Sequence, residues 1–260
     1  MSFADFTRII PMKSTLRFTF ASLALAAGVA SSAGAQALAT FGSLETAGLG
    51  EGSALLGTSL SAGRQGLHPV ATLIAQTYRY TSGFVGGTRT HDQAYALSPS
   101  LGLQYTTATG AVQASLGYTF VNTDKSSVLQ TIQPIVGVET GTRNSTFISA
   151  QANYWGNGEN TAQAITSYSF VSEYIWSRLR AAHRLVPTTP LYVGAEVVGQ
   201  GTSKYSPSAY RYQVGPTIEY RFTDHVRGGA SAGYRGGNNN AAGTGYARLE
   251  FLLLTSLANR

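Results

Sequence analysis

Apolar and polar residues alternate along most of this chain, and no stretch keeps the 3.6-residue period of an amphipathic helix. The alternation is clearest in residues 111–121, 210–222 and 225–235. In residues 111–121 one face carries the side chains of Val112, Ala114, Leu116, Tyr118 and Phe120. Because side chains of a β-strand point alternately to the two sides of a sheet, this pattern predicts an all-β fold whose two faces meet different surroundings.

Windows with this alternation predict twelve strands. They cover residues 38–46, 54–63, 68–80, 95–106, 111–121, 131–141, 146–155, 163–185, 191–199, 210–222, 225–235 and 244–255. The longest window, 163–185, is interpreted as one strand that projects beyond a membrane, which places Glu173 outside the lipid. Pro99, Pro134 and Pro216 each remove a donor from the ladder, so we expect β-bulges at these prolines.

The connections between these windows alternate between short and long. The short ones are residues 64–67, 107–110, 142–145, 186–190 and 223–224, and the long ones are 49–53, 81–94, 122–130, 156–162, 200–208 and 236–243. Short turns at one end and long loops at the other are typical of the outer-membrane barrels of Gram-negative bacteria, which this chain resembles. The sequence therefore predicts a transmembrane antiparallel up-and-down β-barrel of about 12 strands (10 to 12), with both termini in the periplasm.

Residues 1–35 predict a targeting segment that is separate from the barrel. Lys13 and Arg17 precede an apolar stretch, residues 18–30, which ends in small residues up to Ala35. This order is typical of a secretory signal peptide, and Met12 is a second candidate start. We therefore expect an N-terminal extension and cleaved signal peptide in residues 1–35 and the outer-membrane barrel in residues 36–260.

The composition excludes several classes of protein. Charged residues make up 12% of the chain, about half the usual share in soluble domains, yet the mean hydropathy of −0.02 is far too low for a helical membrane protein. The absence of cysteine excludes disulfide frameworks and thiolate chemistry. The four histidines match no metal or hydrolase motif, so we expect no enzyme activity, cofactor, metal or nucleic-acid partner. One alternative stays open: a barrel lipid hydrolase, which needs a serine near His183 or His225.

Charged residues cluster on the polar faces of the predicted strands. They are eight arginines and four glutamates: Arg178, Arg180, Arg184, Arg211, Arg221, Arg227, Arg235, Arg248, Glu139, Glu196, Glu219 and Glu250. A charge that faces lipid at mid-membrane costs roughly 2 to 4 kcal/mol, so these residues are predicted to line the lumen. The turn around Thr188 sets Arg180 opposite Glu196.

The next tight turn, after Phe222, sets Arg221 opposite Arg227 and leaves Glu219 to compensate diagonally. Two interpretations of this arginine-rich lumen remain open. One is a structural network of arginines and glutamates that plugs a narrow barrel. The other is an anion-selective constriction.

Aromatic residues flank apolar bands on the opposite faces. They predict the two interfacial girdles of a membrane barrel and are Tyr95, Tyr105, Tyr210, Tyr212, Tyr220 and Phe222. Leu97, Leu101 and Leu103 lie between the first two of these residues. Outer-membrane lipid is therefore the expected partner of this face.

Several strand motifs in residues 167–236 resemble the second half of the cellulose-biosynthesis accessory barrels (the BcsS type). The motifs are Trp-Ser-Arg-Leu-Arg at 176–180, Gly-Ala-Glu at 194–196, the Gln-Val-Gly strand at 213–215 and Gly-Tyr at 233–234. The resemblance implies an outer-membrane role in exopolysaccharide biosynthesis or export, with polysaccharide as a partner. It also implies that Trp176, Arg178, Arg180 and Glu196 are lumenal positions of interest.

Two functions therefore remain open at the level of sequence. The first is a porin-like, non-enzymatic pore for small solutes, in which the arginines favour anions. The second is a structural or accessory barrel of the cellulose type.

Overall fold

The computed structural model of the protein describes residues 37–85, 88–125, 141–156, 158–203, 209–238 and 243–256. Twelve strands form one closed barrel in which each strand pairs antiparallel with its neighbours in sequence, and the first strand pairs with the last. This confirms the predicted fold class. Among the described residues, no helix is both long enough and apolar enough to cross a lipid bilayer.

The strands are β1 Ala37–Ala47, β2 Glu51–Ser61, β3 Gly66–Val85, β4 Thr88–Thr106, β5 Gly110–Lys125, β6 Gly141–Tyr154, β7 Asn160–Ser169, β8 Tyr174–Val186, β9 Thr189–Thr202, β10 Ala209–Arg221, β11 Val226–Gly237 and β12 Thr244–Ser256. A 3-10 turn, Gly48–Gly50, joins β1 to β2. Residue 37 of β1 pairs with residue 256 of β12. We name this end of the barrel the terminal end and the opposite end the distal end.

The predicted long strand at residues 163–185 is wrong, because the structure divides it into β7 and β8. Between them lies a turn at residues 170–173, in which Glu173 has a φ of 48°. The turn is fixed to β6: the backbone N–H of Phe170 donates to the carbonyl of Thr146, and that of Val171 donates to the hydroxyl of Ser145. Glu173 therefore lies in a turn at the distal end and not within a strand.

The same turn changes the assignment of connections around β6. The predicted short link at residues 142–145 lies inside β6, and the predicted long link at 156–162 runs into β7. The connection between β6 and β7 lies at the terminal end, with the other short turns. The predicted strand at 131–141, with Glu139, lies outside the described residues except for its last residue, and β5 pairs directly with β6.

Two other predicted long connections are shorter than expected. Residues 81–94 mostly continue β3 and β4, and β2 already begins at Glu51. With 20 and 19 residues, β3 and β4 are the longest strands described, while β7 has 10. Their hairpin therefore extends past the described ends of β2 and β5 at the distal end.

The structure describes two of the three prolines, Pro99 and Pro216, and the predicted bulge is absent at both. Around Pro99, the pairing of β4 with β5 skips two positions and resumes in the same register, and the ladder behaves likewise at Pro216. One missing N–H opens one pair of ladder bonds, and no extra residue is needed to accommodate it. Register shifts occur instead between Thr81 and Gly83 and near Arg184. Pro134 lies outside the described residues.

The outer face of the ring is apolar and the inner face is polar. Leu101, Leu116, Leu179 and Leu249 lie on four different strands, and their side chains are 59–72% exposed on the outside. The residues buried to more than nine-tenths include many polar groups that point inward, such as Glu196. Soluble proteins bury apolar residues and expose polar ones, and this barrel does the reverse. Its polar interior is therefore the candidate location of the functional site.

Candidate functional site

The inner face of β8 to β12, together with β1 and β2, carries alternating arginines and glutamates. Odd-numbered residues of β1, β2, β10 and β11 share this face with even-numbered residues of β8, β9 and β12. On these seven strands the inward charged residues are Arg178, Arg180, Arg184, Arg211, Arg221, Arg227, Arg235, Arg248, Glu45, Glu51, Glu196, Glu219 and Glu250.

A continuous chain of ion pairs occupies the middle of the barrel. We name it the central network; its members are Arg178, Arg180, Arg221, Arg248, Glu45, Glu196, Glu219 and Glu250. The N···O distances in these pairs lie between 2.5 and 3.1 Å. Because four arginines meet four glutamates, the network carries no net formal charge.

Glu196 is the most deeply buried member of the central network, with 1% of its surface exposed. One carboxylate oxygen lies 2.6 Å from Nη2 of Arg178. The other accepts hydrogen bonds from Nη1 of Arg248 and from the hydroxyl of Tyr246, both at 3.0 Å. A buried carboxylate is tolerated only when its oxygens have such partners, so this residue fixes the positions of both arginines.

The central network crosses the barrel interior. Glu250 on β12 accepts hydrogen bonds from Arg178 at 2.8 Å and from Arg180 at 2.9 Å, and both arginines lie on β8. Three strands, β9 to β11, separate β8 from β12 in the ring. On these strands Thr217 and Ser231 are buried and hydrogen bonded to each other at 3.1 Å. The side chains that bridge β8 and β12 therefore fill the sector in front of β9 to β11.

Gln213 extends the central network from β10 towards β1. Its Nε2 donates to Glu45 at 2.7 Å, and its Oε1 accepts from Nη2 of Arg248 at 2.7 Å. Arg248 also bonds Glu45 directly, with an Nη2–Oε2 distance of 2.6 Å. The amide thus satisfies a cation and an anion together, which joins β1, β10 and β12.

At the distal end two arginines share one glutamate. Glu51 lies 3.0 Å from Arg211 and 2.8 Å from Arg235. This group, which we name the distal cluster, is well paired but carries one positive charge in excess.

At the terminal end Arg221 and Arg227 are direct partners across β10 and β11. Arg221 bonds Glu219 through Nε at 3.1 Å, and its guanidinium carbon lies 4.1 Å from the centre of the Tyr192 ring. Nη2 of Arg221 and Nε of Arg227 are buried without a hydrogen-bond partner. Nearby, Arg184 donates to the backbone carbonyl of Thr189 at 3.1 Å. Positive charge is therefore in excess at this end as well.

The opposite wall of the interior, on β3 to β7, is built mainly from small hydroxyl and amide side chains. Cross-strand hydrogen bonds join Ser98 to Thr119 at 2.9 Å and Ser145 to Ser169 at 2.6 Å. We name this surface the hydroxyl wall; further inward members on β3 to β7 are Thr72, Ser100, Gln104, Gln113, Ser115, Ser149, Gln151, Asn153, Gln163 and Ser167. The interior thus has one charged side and one neutral polar side.

The register predicted around Thr188 agrees with the structure, since Arg180 and Glu196 are partners across β8 and β9. They do not form an ion pair, however. Glu196 bonds Arg178 and Arg248, while Arg180 bonds Glu219 and Glu250. An arginine side chain is longer than the strand spacing of about 4.8 Å, so it reaches past its direct neighbour.

Four residues of the site were missed by sequence reasoning: Glu45, Glu51, Gln213 and Tyr246. Residues 49–53 were predicted as a connection, which removed Glu51 from its strand, and the alternation in β1 is weak. The odd number of Glu45 is the signal that could have identified it, because odd-numbered residues of β1, such as Ser43, share one face of the strand. Trp176 points to the same interior, and its partner across β9 is Gln200.

The six aromatic residues of the expected girdles point outward, on the faces opposite the inward charges. The most exposed of them are Phe222, Tyr210 and Tyr105, at 64%, 53% and 51%. Tyr220 and Phe222 make an edge-on ring contact at 4.9 Å. Most of them lie near strand ends, and Tyr95 lies within the long strand β4.

Of the two histidines considered for a lipid hydrolase, His183 lies on the outward face of β8 and His225 lies outside the strands. His183 Nδ1 lies 2.9 Å from the side-chain oxygen of Asn160, and His225 lies exposed in the turn before β11. Within the described part of the chain, no serine hydroxyl bonds either imidazole ring. No group of three or more potential metal ligands occurs there either.

Comparison with known proteins shows that this chain is similar in fold to several solved structures. No known protein-family profile and no curated protein matches the chain. An outer membrane channel from Pseudomonas putida F1 aligns with a TM-score of 0.54 at 10% identity, over 85% of this chain and 96% of that chain. The translocator domain of the autotransporter NalP from Neisseria meningitidis aligns with a TM-score of 0.46 at 11% identity, over 96% and 97%.

The beta domain of the Bordetella autotransporter Brka gives a TM-score of 0.48 at 12% identity, over 83% of this chain and 98% of that chain. The chain thus has the fold of the bacterial outer-membrane β-barrels, as predicted. The resemblance to the cellulose-biosynthesis accessory barrels stays a prediction.

Proposed function

We propose that this protein is an integral outer-membrane β-barrel that conducts small solutes and performs no catalysis. The exposed apolar outer face supports a membrane location, because a closed barrel leaves no unpaired strand edge in lipid. The fold likeness to an outer membrane channel adds support. In this proposal outer-membrane lipid contacts the aromatic and apolar face, and the terminal end faces the periplasm.

The observation that carries the proposal is the unequal lining of the interior. The central network lies in front of β9 to β11 and reaches Glu45 on β1, while the opposite wall carries small hydroxyl side chains. Barrels of eight strands are filled by side chains, and those of sixteen hold an aqueous channel. With twelve strands, a passage along the hydroxyl wall fits beside a network on the other side.

The test is conductance of the refolded protein in planar lipid bilayers, compared for two neighbouring substitutions. Ser115→Trp places a large ring on the hydroxyl wall, and Ala114→Trp places the same ring on the outer face. We expect discrete channels for the unmodified protein, several-fold smaller channels for Ser115→Trp, and unchanged channels for Ala114→Trp. Absence of any channel from folded protein would refute the pore.

One observation favours a second candidate, a structural or accessory barrel. The central network is neutral and each of its members forms at least one ion pair, which suits a permanent internal brace as well as a pore wall. Under this candidate the lumen is sealed, and the role in exopolysaccharide (cellulose) biosynthesis or export follows from the resemblance alone. It is distinguished by folded protein that never conducts, together with loss of matrix polysaccharide in a deletion strain.

A further inference from the structure

The terminal end of the interior contains an arginine pair in which only one member, Arg221, bonds a glutamate. Arg221 and Arg227 face each other directly across β10 and β11, an arrangement that is destabilising for like charges. Glu219 is the acid that bonds Arg221, and it also bonds Arg180 at 2.9 Å. The carboxylate of Glu219 therefore bonds two guanidinium groups, and Arg227 forms no ion pair among the described residues.

The hydrogen bonds of the pair are incomplete. Nε of Arg227 and Nη2 of Arg221 are both buried without a partner. Among the inward arginines of β8 to β12, Arg227 is the one for which the described residues supply no ion pair or hydrogen bond. Buried polar groups in folded proteins are almost always satisfied, so these two nitrogens leave the arginine pair short of hydrogen-bond acceptors.

The site has a fixed geometry that suits a ligand. The Arg221 guanidinium stacks on the ring of Tyr192, which is 2% exposed, and the hydroxyl of Tyr192 donates to the carbonyl of Gly158 at 2.5 Å. Two guanidinium groups held side by side present planar donor forks, which match the oxygens of phosphate or carboxylate. Both arginines point into the barrel, which keeps membrane lipid away from them.

We propose that Arg221 and Arg227, positioned by Tyr192 and Glu219, form a binding site for a small oxyanion at the terminal end of the lumen. The inference rests on the proposed pore and deepens it by naming small oxyanions, such as phosphate and simple carboxylates, as a solute class. Solutes of this class dock at the terminal end and then pass along the neutral hydroxyl wall.

The test uses inorganic phosphate as the probe and the folded full-length barrel in phosphate-free detergent micelles. Phosphate is titrated by calorimetry, with chloride at equal ionic strength as the reference. We expect saturable binding that Arg227→Gln weakens about tenfold or more, since hydrogen bonds to charged groups are lost. The matched control is Arg235→Gln, which removes the same charge eight residues further along β11, about 27 Å away, and leaves phosphate affinity unchanged.

Equal weakening by both substitutions would show a general effect of positive charge and would overturn the site, as would unchanged binding in Arg227→Gln. Folding of each variant is checked by heat-modifiability on gels. A second variant, Arg227→Lys, keeps the charge but removes the planar fork, and it should bind phosphate more weakly than the unmodified protein. Phosphate binding without conductance would refute the pore alone, whereas conductance without phosphate binding would refute this site alone.

Discussion

Burial of a single carboxylate organises the charged half of the interior. Glu196 bonds Arg178 and Arg248 while almost fully excluded from solvent. Breaking a buried ion pair by neutralising one partner costs more than the pair itself contributes, because the remaining charge stays buried without compensation. Glu196 therefore fixes the positions of Arg178 and Arg248, and its loss removes one ion pair from each of these buried arginines.

Glu196→Gln should lower the free energy of unfolding by about 3 to 5 kcal/mol. The measurement is urea unfolding of the barrel in lipid vesicles, followed by tryptophan fluorescence. The control is Glu173→Gln in the exposed turn at 170–173, which should change stability by less than about 0.5 kcal/mol. A loss for Glu196→Gln no larger than that of the control would contradict the anchoring role.

The interior arginine without a bonded partner should behave in the opposite way. In phosphate-free buffer Arg227→Gln should raise the unfolding free energy by about 0.5 kcal/mol or more, because it removes repulsion from Arg221 directly opposite. The same urea unfolding measures the change. A marked loss of stability would mean that Arg227 already has a favourable partner within the protein.

At the scale of elements, the backbone of Glu173 is in the left-handed region, which disfavours residues with a Cβ atom. Its side chain accepts a hydrogen bond from Ser203 at 2.7 Å in partial compensation. Glu173→Gly should raise stability by roughly 0.5 to 1 kcal/mol, whereas Glu173→Ala should lower it, since alanine loses the hydrogen bond and keeps the strain. The midpoint temperature of the gel-mobility shift compares the two. Equal midpoints would show that the backbone here is not strained.

This turn also shows where sequence reasoning reaches its limit. Period-2 alternation located most strands to within a few residues and established the barrel, because each face meets a uniform environment. Residues 170–173 are Phe-Val-Ser-Glu and contain no glycine, proline or asparagine, so the alternation appeared unbroken. The turn is held by hydrogen bonds to β6, which a local pattern does not reveal.

The candidate site was predictable to a similar degree. The alternation of polar and apolar residues alone predicted the polar, inward faces of the strands as the location of Arg178, Arg180, Glu196, Arg248 and Glu250. Their actual pairing depends on contacts between β8 and β12 across the interior, and strand neighbours in sequence carry no information about these. The position of Glu45 in β1 could have placed it on the inward face, but its pairing with Arg248 depends on closure of the ring between β1 and β12.

For the whole molecule, the proposed membrane location makes a direct prediction. Because a closed barrel resists dodecyl sulfate until it is heated, unboiled protein from the outer-membrane fraction should migrate differently from boiled protein on gels. A soluble periplasmic band that shows no shift would contradict the membrane location and would leave the apolar outer face unexplained. The measurement needs no ligand and tests the location independently of conductance.

Closure of the ring also determines how the molecule can form. The pairing of residue 37 with residue 256 joins the two sequence extremes of the described barrel. Such a contact has the largest possible loop-closure entropy and raises the relative contact order, so it forms late and slowly. Until that final seam is made, β1 and β12 each present an open edge that can pair with another chain. The slow step of assembly should therefore be a single closure event that involves β1 and β12, and partially closed rings should be the species that aggregate.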